Sequence, residues 1–438
     1  MTALADAAPR DASALVTKRP QNVWIAASIA AALFVAVPWV IDSTALSVVC
    51  QIGIAIVFSL SYNVLLGQTG VLSFGHSLYS GCAGFFTAHA MNMAAKGELF
   101  GLPVALMPLV GAVCGAGLGV VFGYVASRRH GMAFAMITLG TAELVHAASL
   151  MFNGFFGGES GVTTNRMYGA PLLGLTFGPQ SQVYYLILAW GALSVFLMYQ
   201  FRLTPLGRMA FALRDNPERT EFIGYDSKKI RYLTMIVSCI FAGIAGSLAA
   251  INFEIVTHEG ASIGAASLVL VYTFIGGTTI FYGPIIGAVV GTLITVVASG
   301  IFTAWYLYLG LFFIAIVVWA PTGLAGLLQS ALLVWKHASV RGVWSSLAIA
   351  SLPLLTGVAG FVTLTEMLYH RTFIVGSDTG AKVFGLTFDT ASAVHWCVPA
   401  GVVVVSYVAF RLARRPFEAR WNLAQDEVNA ALREEALR

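Results

Sequence analysis

Long apolar stretches alternate with short polar ones along most of this chain. Runs of the length that crosses a bilayer as helix, about 18 residues or more, lie near 24–41, 46–66, 70–94, 102–127, 132–152, 183–201, 232–252, 263–280, 283–301 and 303–320. Two more follow at about 344–366 and 396–412. The predicted fold is an all-α polytopic membrane bundle. It has about ten core spans, some broken or re-entrant where Gly and Pro interrupt them, and two extra C-terminal spans. The run at 24–41 follows Lys18 and Arg19 as a signal peptide would. It is too long for an h-region and lacks a convincing cleavage site, so it reads as a retained helix.

Composition sharpens this picture. Of 438 residues, 58% are hydrophobic and 10% charged, against about 25% charged in soluble domains. The 45 glycines suit helices that pack closely through small residues. Cys50, Cys82, Cys114, Cys239 and Cys397 sit in or beside apolar runs and form no C-x-x-C pair, so they read as packing residues. No metal set, cofactor motif or catalytic residue emerges. The formal charge of +4 implies no nucleic acid partner; what matters is where the basic residues fall.

With the N-terminus inside, Arg128, Arg129, the cluster from Arg202 to Arg231, Lys336, Arg341 and the C-terminal tail are all inside. Lys96, Arg166, Arg371 and Lys382 are then outside, four of 24 basic residues. The positive-inside rule favours this orientation, with both termini cytoplasmic. Residues 1–23 read as a disordered cytoplasmic tail and 24–330 as the transmembrane body. An extension over 331–412 carries the two extra spans, and 413–438 forms an amphipathic tail. There Phe417, Trp421, Val428 and Leu432 share one helix face. The inside loop 202–231 holds seven basic and four acidic residues. Its helical pattern from Gly207 to Ile223 is broken at Asn216-Pro217, which predicts a helix–turn–helix. Either helical piece is also of a kind that lies on a lipid surface.

Candidate chemistry is sparse. None of the six lysines follows a glycine, so no P-loop is present and any ATP hydrolysis belongs to another polypeptide. The segment Gly67–His76 sets Gln68, Thr69, Ser73 and His76 among glycines between two apolar runs. It is read either as a broken helix beside a translocation path or as a tight helix–helix turn. Glu143 is a carboxylate inside a span. It is a candidate path residue or proton carrier, or else a structural hydrogen-bonding group, with His146 placed to pair with it. Gly158-Glu159-Ser160-Gly161 matches the G-x-S-G of intramembrane serine proteases. It falls in a glycine-rich outside loop, 153–165, that better suits contact with a solute-delivery protein. The stretch 275–284 suits close packing and a sharp reversal.

Six landmarks, in order, resemble those of the permease subunits of the high-affinity branched-chain amino acid ABC importers, closest to the M-type member of the usual pair. They are GQTGVLSFGH (67–76), RRHGMAFAMITLGTAEL (128–144), FFGGESG (155–161), GRMAFALRDNPERTEFIGYD (207–226), IGGTTIFYGPIIGA (275–288) and APTGLAGLL (320–328). The resemblance covers about 45–330. It implies a bacterial inner-membrane complex in which two permease subunits, a heterodimer by the family's habit, form the pathway. Two cytoplasmic ATPase subunits drive it, and a periplasmic solute-binding protein delivers the small-molecule solute. The family's ATPase-contacting Glu-x-x-Gly core falls on Glu221-Phe222-Ile223-Gly224, with Arg214, Arg219 and Glu221 as polar contacts. The same family carries urea, short amides and other small organic solutes, so solute identity stays open. The competing readings are a proton-coupled secondary transporter using Glu143 and a membrane-embedded enzyme using Ser160.

Overall fold

Most of the apolar runs form uninterrupted helices, and two of them are broken at glycine-bearing segments, near Gly70–Gly75 and after Gly276. The computed structural model describes residues 34–97, 102–168, 176–337, 341–373, 380–390 and 392–437. The N-terminal tail and most of the first run lie outside these. The helices are α1 (Ser43–Thr69), α2 (His76–Ala95), α3 (Met107–Ala126), α4 (Met132–Met151), α5 (Gln180–Leu203), α6 (Pro205–Asp215) and α7 (Pro217–Phe222). After these come α8 (Ser227–Phe253), α9 (Ile263–Gly276), α10 (Gly283–Leu293), α11 (Trp305–Trp319), α12 (Gly323–His337), α13 (Arg341–Phe373) and α14 (Ala393–Leu437). Eight helices among the described residues are long and apolar enough to cross a membrane, and a pair bent by 53° makes a ninth. Two of the predicted runs are cut short. The run at 70–94 becomes helix only from His76, and that at 263–280 ends at Gly276.

The chain divides into two compact units, residues 1–293 with 315–325, and 294–314 with 326–438. The boundary falls on a π-helical stretch, Ile294–Ala298, a form met mainly at local strain or functional sites.

In the first unit the central element is α8, whose apolar stretch is 78% buried. It packs against α1, α2 and α3. A helix buried on all sides must be apolar all round, and it approaches its neighbours through small residues. Gly111, Gly115 and Gly119 of α3 meet Cys239, Gly243 and Ser247 of α8, both series at four-residue spacing. A Cβ on Gly243 would lie 2.1 Å from the Gly111 carbonyl oxygen, so the two backbones touch. Ser247 Oγ donates to the Met107 carbonyl at 3.0 Å, adding a polar tie where no water competes. Cys50, Cys82 and Cys239 are buried, as packing residues should be.

One end of this unit is a plate. Strand β1 (Val162–Thr163) pairs antiparallel with β2 (Ile255–Val256). Arg166 holds the plate to the helix ends. Its guanidinium donates to the carbonyls of Ile251, Asn252 and Gly178 and to Gln180 Oε1. Ile251 and Asn252 belong to the last turn of α8, where carbonyls lack helical partners and a cation is favoured.

In the second unit α13 packs along α14, with Thr356 and Ser406 hydroxyls 2.9 Å apart. Val334 of α12 clusters with Ala424, Val428 and Trp421 of α14. The tail 413–437 is no separate helix, because α14 runs through Pro399 and Pro416 without a break. The predicted outside loop before it contains a hairpin, β3 (Gly380–Val383) and β4 (Leu386–Asp389). Its two turn residues, Phe384 and Gly385, both have positive φ, 52° and 79°, the condition of a tight hairpin turn whose twist matches the strands.

Candidate functional site: a charged loop against a broken helix

The loop 202–231 folds as the sequence predicts, as two short helices. Thr204 caps α6 by accepting from the Gly207 N–H at 3.2 Å. Asn216 caps α7 by accepting from the Arg219 N–H at 3.0 Å, with Pro217 at the first helical position. Such caps replace partners that the first turn cannot supply. Ala210, Leu213 and Ile230 form a small buried cluster beneath, so the loop is anchored rather than loose.

What it presents outward is unusual. Phe222 is 89% exposed and Ile223 71% exposed, with Tyr225 beside them. Gly224 sits at φ 95° with no atom within 4 Å of where its Cβ would be. Arg219 and Glu221 are exposed next to this apolar tip. Arg214 does something else. Its Nη1 donates to the Gly67 carbonyl at 2.7 Å, inside the subunit.

That carbonyl belongs to the end of α1. Gly70 closes this helix in the left-handed region at φ 69°, the usual glycine C-cap. Residues 70–75 then run without helix until α2 begins at His76. His76 Nε2 lies 2.9 Å from Ser61 Oγ, and its ring stacks on Phe58 and meets Tyr62 edge-on. Ser61 is about eight residues back from the end of α1, roughly 12 Å at the helical rise. So α2 starts well inside the layer of helices, and the Gly70–Gly75 backbone is non-helical at that depth. Protein groups take up its polar atoms. The Phe74 N–H donates to Thr138 Oγ1 at 3.3 Å, and Gly75 is pressed against the Thr138 carbonyl. Non-helical backbone at membrane depth occurs where protein or a water-filled path satisfies it.

The polar residues of this break are all interior. Gln68 is 4% exposed, Thr69 is buried, and Ser73 and His76 are fully enclosed. Thr69 Oγ1 donates to Leu65 O, whereas Gln68 Oε1, Ser73 Oγ and His76 Nδ1 have no partner among the described residues. Asn63, Gln68, Arg202, Phe211, Thr278 and Phe281 surround a small recess between this break and a second one. There Gly276, Gly283 and Gly287 bring the backbones of α9 and α10 into contact.

Glu143 is placed differently. It is exposed on α4 and makes no hydrogen bond or ion pair with the described residues. Met136, Leu144 and Met151 are exposed along the same helix. The pairing with His146 is not made, because the His146 ring faces His258 at 5.6 Å. The structure thus brings Arg214 together with the Gly67–His76 break and leaves Arg219, Glu221 and Gly224 at the tip, with Glu143 alone on an outer face. Ser160 Oγ donates to the Gly157 carbonyl within its own turn.

Reading for functional residues misses two. Arg166 organises the plate, and the only hint is an arginine in a loop otherwise poor in charge. Glu366, in α13, is buried and accepts from the N–H groups of Thr303 and Ala304 and from the Tyr308 hydroxyl. A carboxylate ending an apolar run was the available signal.

Stacked spanning helices, a non-helical break at depth and an anchored charged loop with an apolar tip define a multi-pass membrane transport protein. The chain belongs to the branched-chain amino acid transport system permease component family, whose model matches residues 44–335. It is 25% identical over 332 residues to the high-affinity branched-chain amino acid transport system permease protein LivM of Escherichia coli (strain K12), covering 71% of this chain and 76% of that one. The protein of the same name in Salmonella typhimurium (strain LT2) is 26% identical over 312 residues, covering 66% and 72%. No solved structure matches the chain.

Proposed function

We propose that the chain is the transmembrane permease subunit of an ATP-binding-cassette importer that carries branched-chain amino acids across a bacterial inner membrane. The observation that carries this reading is the tip of the 202–231 loop. Large apolar side chains are rarely left this exposed on a charged element without a partner to cover them. Placed on the cytoplasmic side by the distribution of Lys and Arg, the tip fits a groove in an ATPase subunit, and Arg219 and Glu221 supply the rim. ATP hydrolysis then moves the tip, and the movement opens or closes the path.

Glu143 supports a second permease subunit. An unpaired carboxylate on a spanning helix is not left against lipid tails, so another subunit, or water in a path between subunits, covers that face of α4. Gln68, Thr69, Ser73 and His76 border the path at the α1–α2 break. On the opposite side, the plate built from 153–165 and 254–261 receives the solute-binding protein.

The test is reconstitution with a partner permease, ATPase and binding protein, followed by uptake against branched-chain amino acids, urea and short amides. The expected result is ATP-dependent uptake stimulated by the binding protein and selective for branched-chain amino acids. Uptake driven by a proton gradient without ATP, lost in Glu143→Gln, would instead establish the secondary-transporter reading that the exposure of Glu143 also allows.

A further inference from the structure

We propose that Arg214 is a positioning residue for coupling, the link through which the 202–231 loop holds the end of α1 and sets the Gly70–Gly75 break. The inference rests on the coupling role proposed for that loop and adds the route by which its movement reaches the path.

Arg214 lies in the last turn of α6, one residue from its end at Asp215. Its guanidinium crosses to α1 and donates to Gly67 O at 2.7 Å. Gly67 is within the final turn of α1, where a carbonyl has no helical N–H to accept from. A cation there is also favoured by the negative end of the helix dipole. The arginine stem lies directly over the cap, since a Cβ on Gly70 would be 3.1 Å from Arg214 Cγ. Gly70 is therefore fixed twice, by its φ of 69° and by the side chain above it. The loop helix and the start of the break are joined by a hydrogen bond and by contact, with no residue between them.

The Asn63 and Gln68 amide oxygens, in the recess beside Gly67, are buried with no partner among the described residues. Buried acceptors of this kind nearly always find a donor in a settled structure. In this arrangement they are uncommitted inside the chain, so the end of α1 can settle differently when the loop's grip on Gly67 changes.

The experiment uses the assembled transporter in proteoliposomes, in a background with the native cysteines replaced. Two labelling reporters are made separately: a loop reporter, Glu218→Cys, exposed on α7, and a break reporter, Val71→Cys, buried between α1 and α2. In Arg214→Gln, ATP hydrolysis should stay within about twofold of the parent while solute moved per ATP falls about tenfold or more. The loop reporter should remain protected by the ATPase subunits, whereas the nucleotide-dependent change in labelling of the break reporter should vanish. Arg214→Lys, whose ammonium can donate to the same carbonyl, should recover part of both. Should Arg214→Gln fail to assemble, Gly70→Ala decides the matter, because it displaces the arginine stem while keeping the charge, and the same uncoupling is expected. Normal solute transport per ATP with a normal break-reporter response in Arg214→Gln, or in Gly70→Ala where that variant decides, would overturn the proposal. Labelling of the loop reporter that ignores the ATPase subunits would instead overturn the coupling role of the loop itself.

Discussion

Glu366→Ala tests whether the C-terminal region beyond the family match holds part of the matched region in place. The Glu366 carboxylate accepts from the Thr303 N–H at 3.2 Å, the Ala304 N–H at 3.0 Å and the Tyr308 hydroxyl at 3.0 Å. Thr303 and Ala304 immediately precede α11, so the carboxylate caps the first turn of that helix from another element. Truncation to alanine leaves three donors without it at a site only 8% exposed. An unsatisfied buried donor costs about 1–3 kcal/mol; since Thr303 is exposed and Ala304 and Tyr308 are half-buried, the three together cost about 2 kcal/mol. For a unit of this size about 2–4 °C accompanies each kcal/mol, giving a fall of about 4–8 °C in apparent melting temperature. The assay is a temperature series on the purified complex in detergent, read as surviving monodisperse protein by size exclusion. Glu366→Gln, which keeps one acceptor oxygen, should fall between parent and alanine variant, and transport per surviving complex should be near normal in both. An alanine variant that melts within about 1 °C of the parent would refute the reasoning. One that is stable yet no longer transports would place Glu366 on the solute path instead.

Phe222→Ala should leave the isolated permease as stable as the parent, because the side chain touches little of its own fold, yet weaken ATPase docking by about 2 kcal/mol or more; pull-down of the ATPase subunit measures it. Gly224→Trp should be harmful on two counts, blocked docking and a φ of 95° that a side chain adopts only with strain of about 1–3 kcal/mol. Normal uptake by the well-expressed variant would remove this tip from the coupling role. Gly243→Val should force α3 and α8 apart and cost about 1–3 kcal/mol or more by overpacking, read as loss of monodisperse protein; unchanged thermal stability would mean the crossing is not this tight. Glu143→Gln should keep most ATP-dependent uptake if the carboxylate serves only to hydrogen-bond a covering subunit, and uptake assays at matched expression decide this.

The two-helix loop was legible because its signals are local. Asn216 and Pro217 carry cap and first-turn preferences in their own chemistry, and the break falls on them. The joining of the tail to the last span as one helix was not, since a change of polarity is all that marks residue 413. Residues 412–418 contain no glycine, and the helix runs on through Pro416. The break near Gly70 could be read as a break but not as one at depth. That depends on His76 reaching back to Ser61, a contact between residues 15 apart that no periodicity encodes. Arg214 and Arg219 look alike in the sequence, neighbours in one charged loop. One turns inward to a helix end and the other stays outside, a difference settled by where α1 stops. Glu143 was recognisable as costly, but its lack of a partner among the described residues of its own chain emerges only when α4 is seen on the outer face.

The seam of α8 with α3 has a mechanical consequence. Twenty-seven residues of unbroken helix in α8 span about 40 Å. One end follows directly on the 202–231 loop, at Asp226, and the other is clamped by Arg166 beneath the β1–β2 plate. Because its flanking backbones touch, α8 has little room to bend, and any movement it makes is that of a stiff rod. A tilt of about 5° about the end at Ser227 would swing the far end by about 3.5 Å, from its length alone. On the coupling role proposed above, movement of the loop reaches the β1–β2 plate through α8 itself, by a route that bypasses the Gly70–Gly75 break.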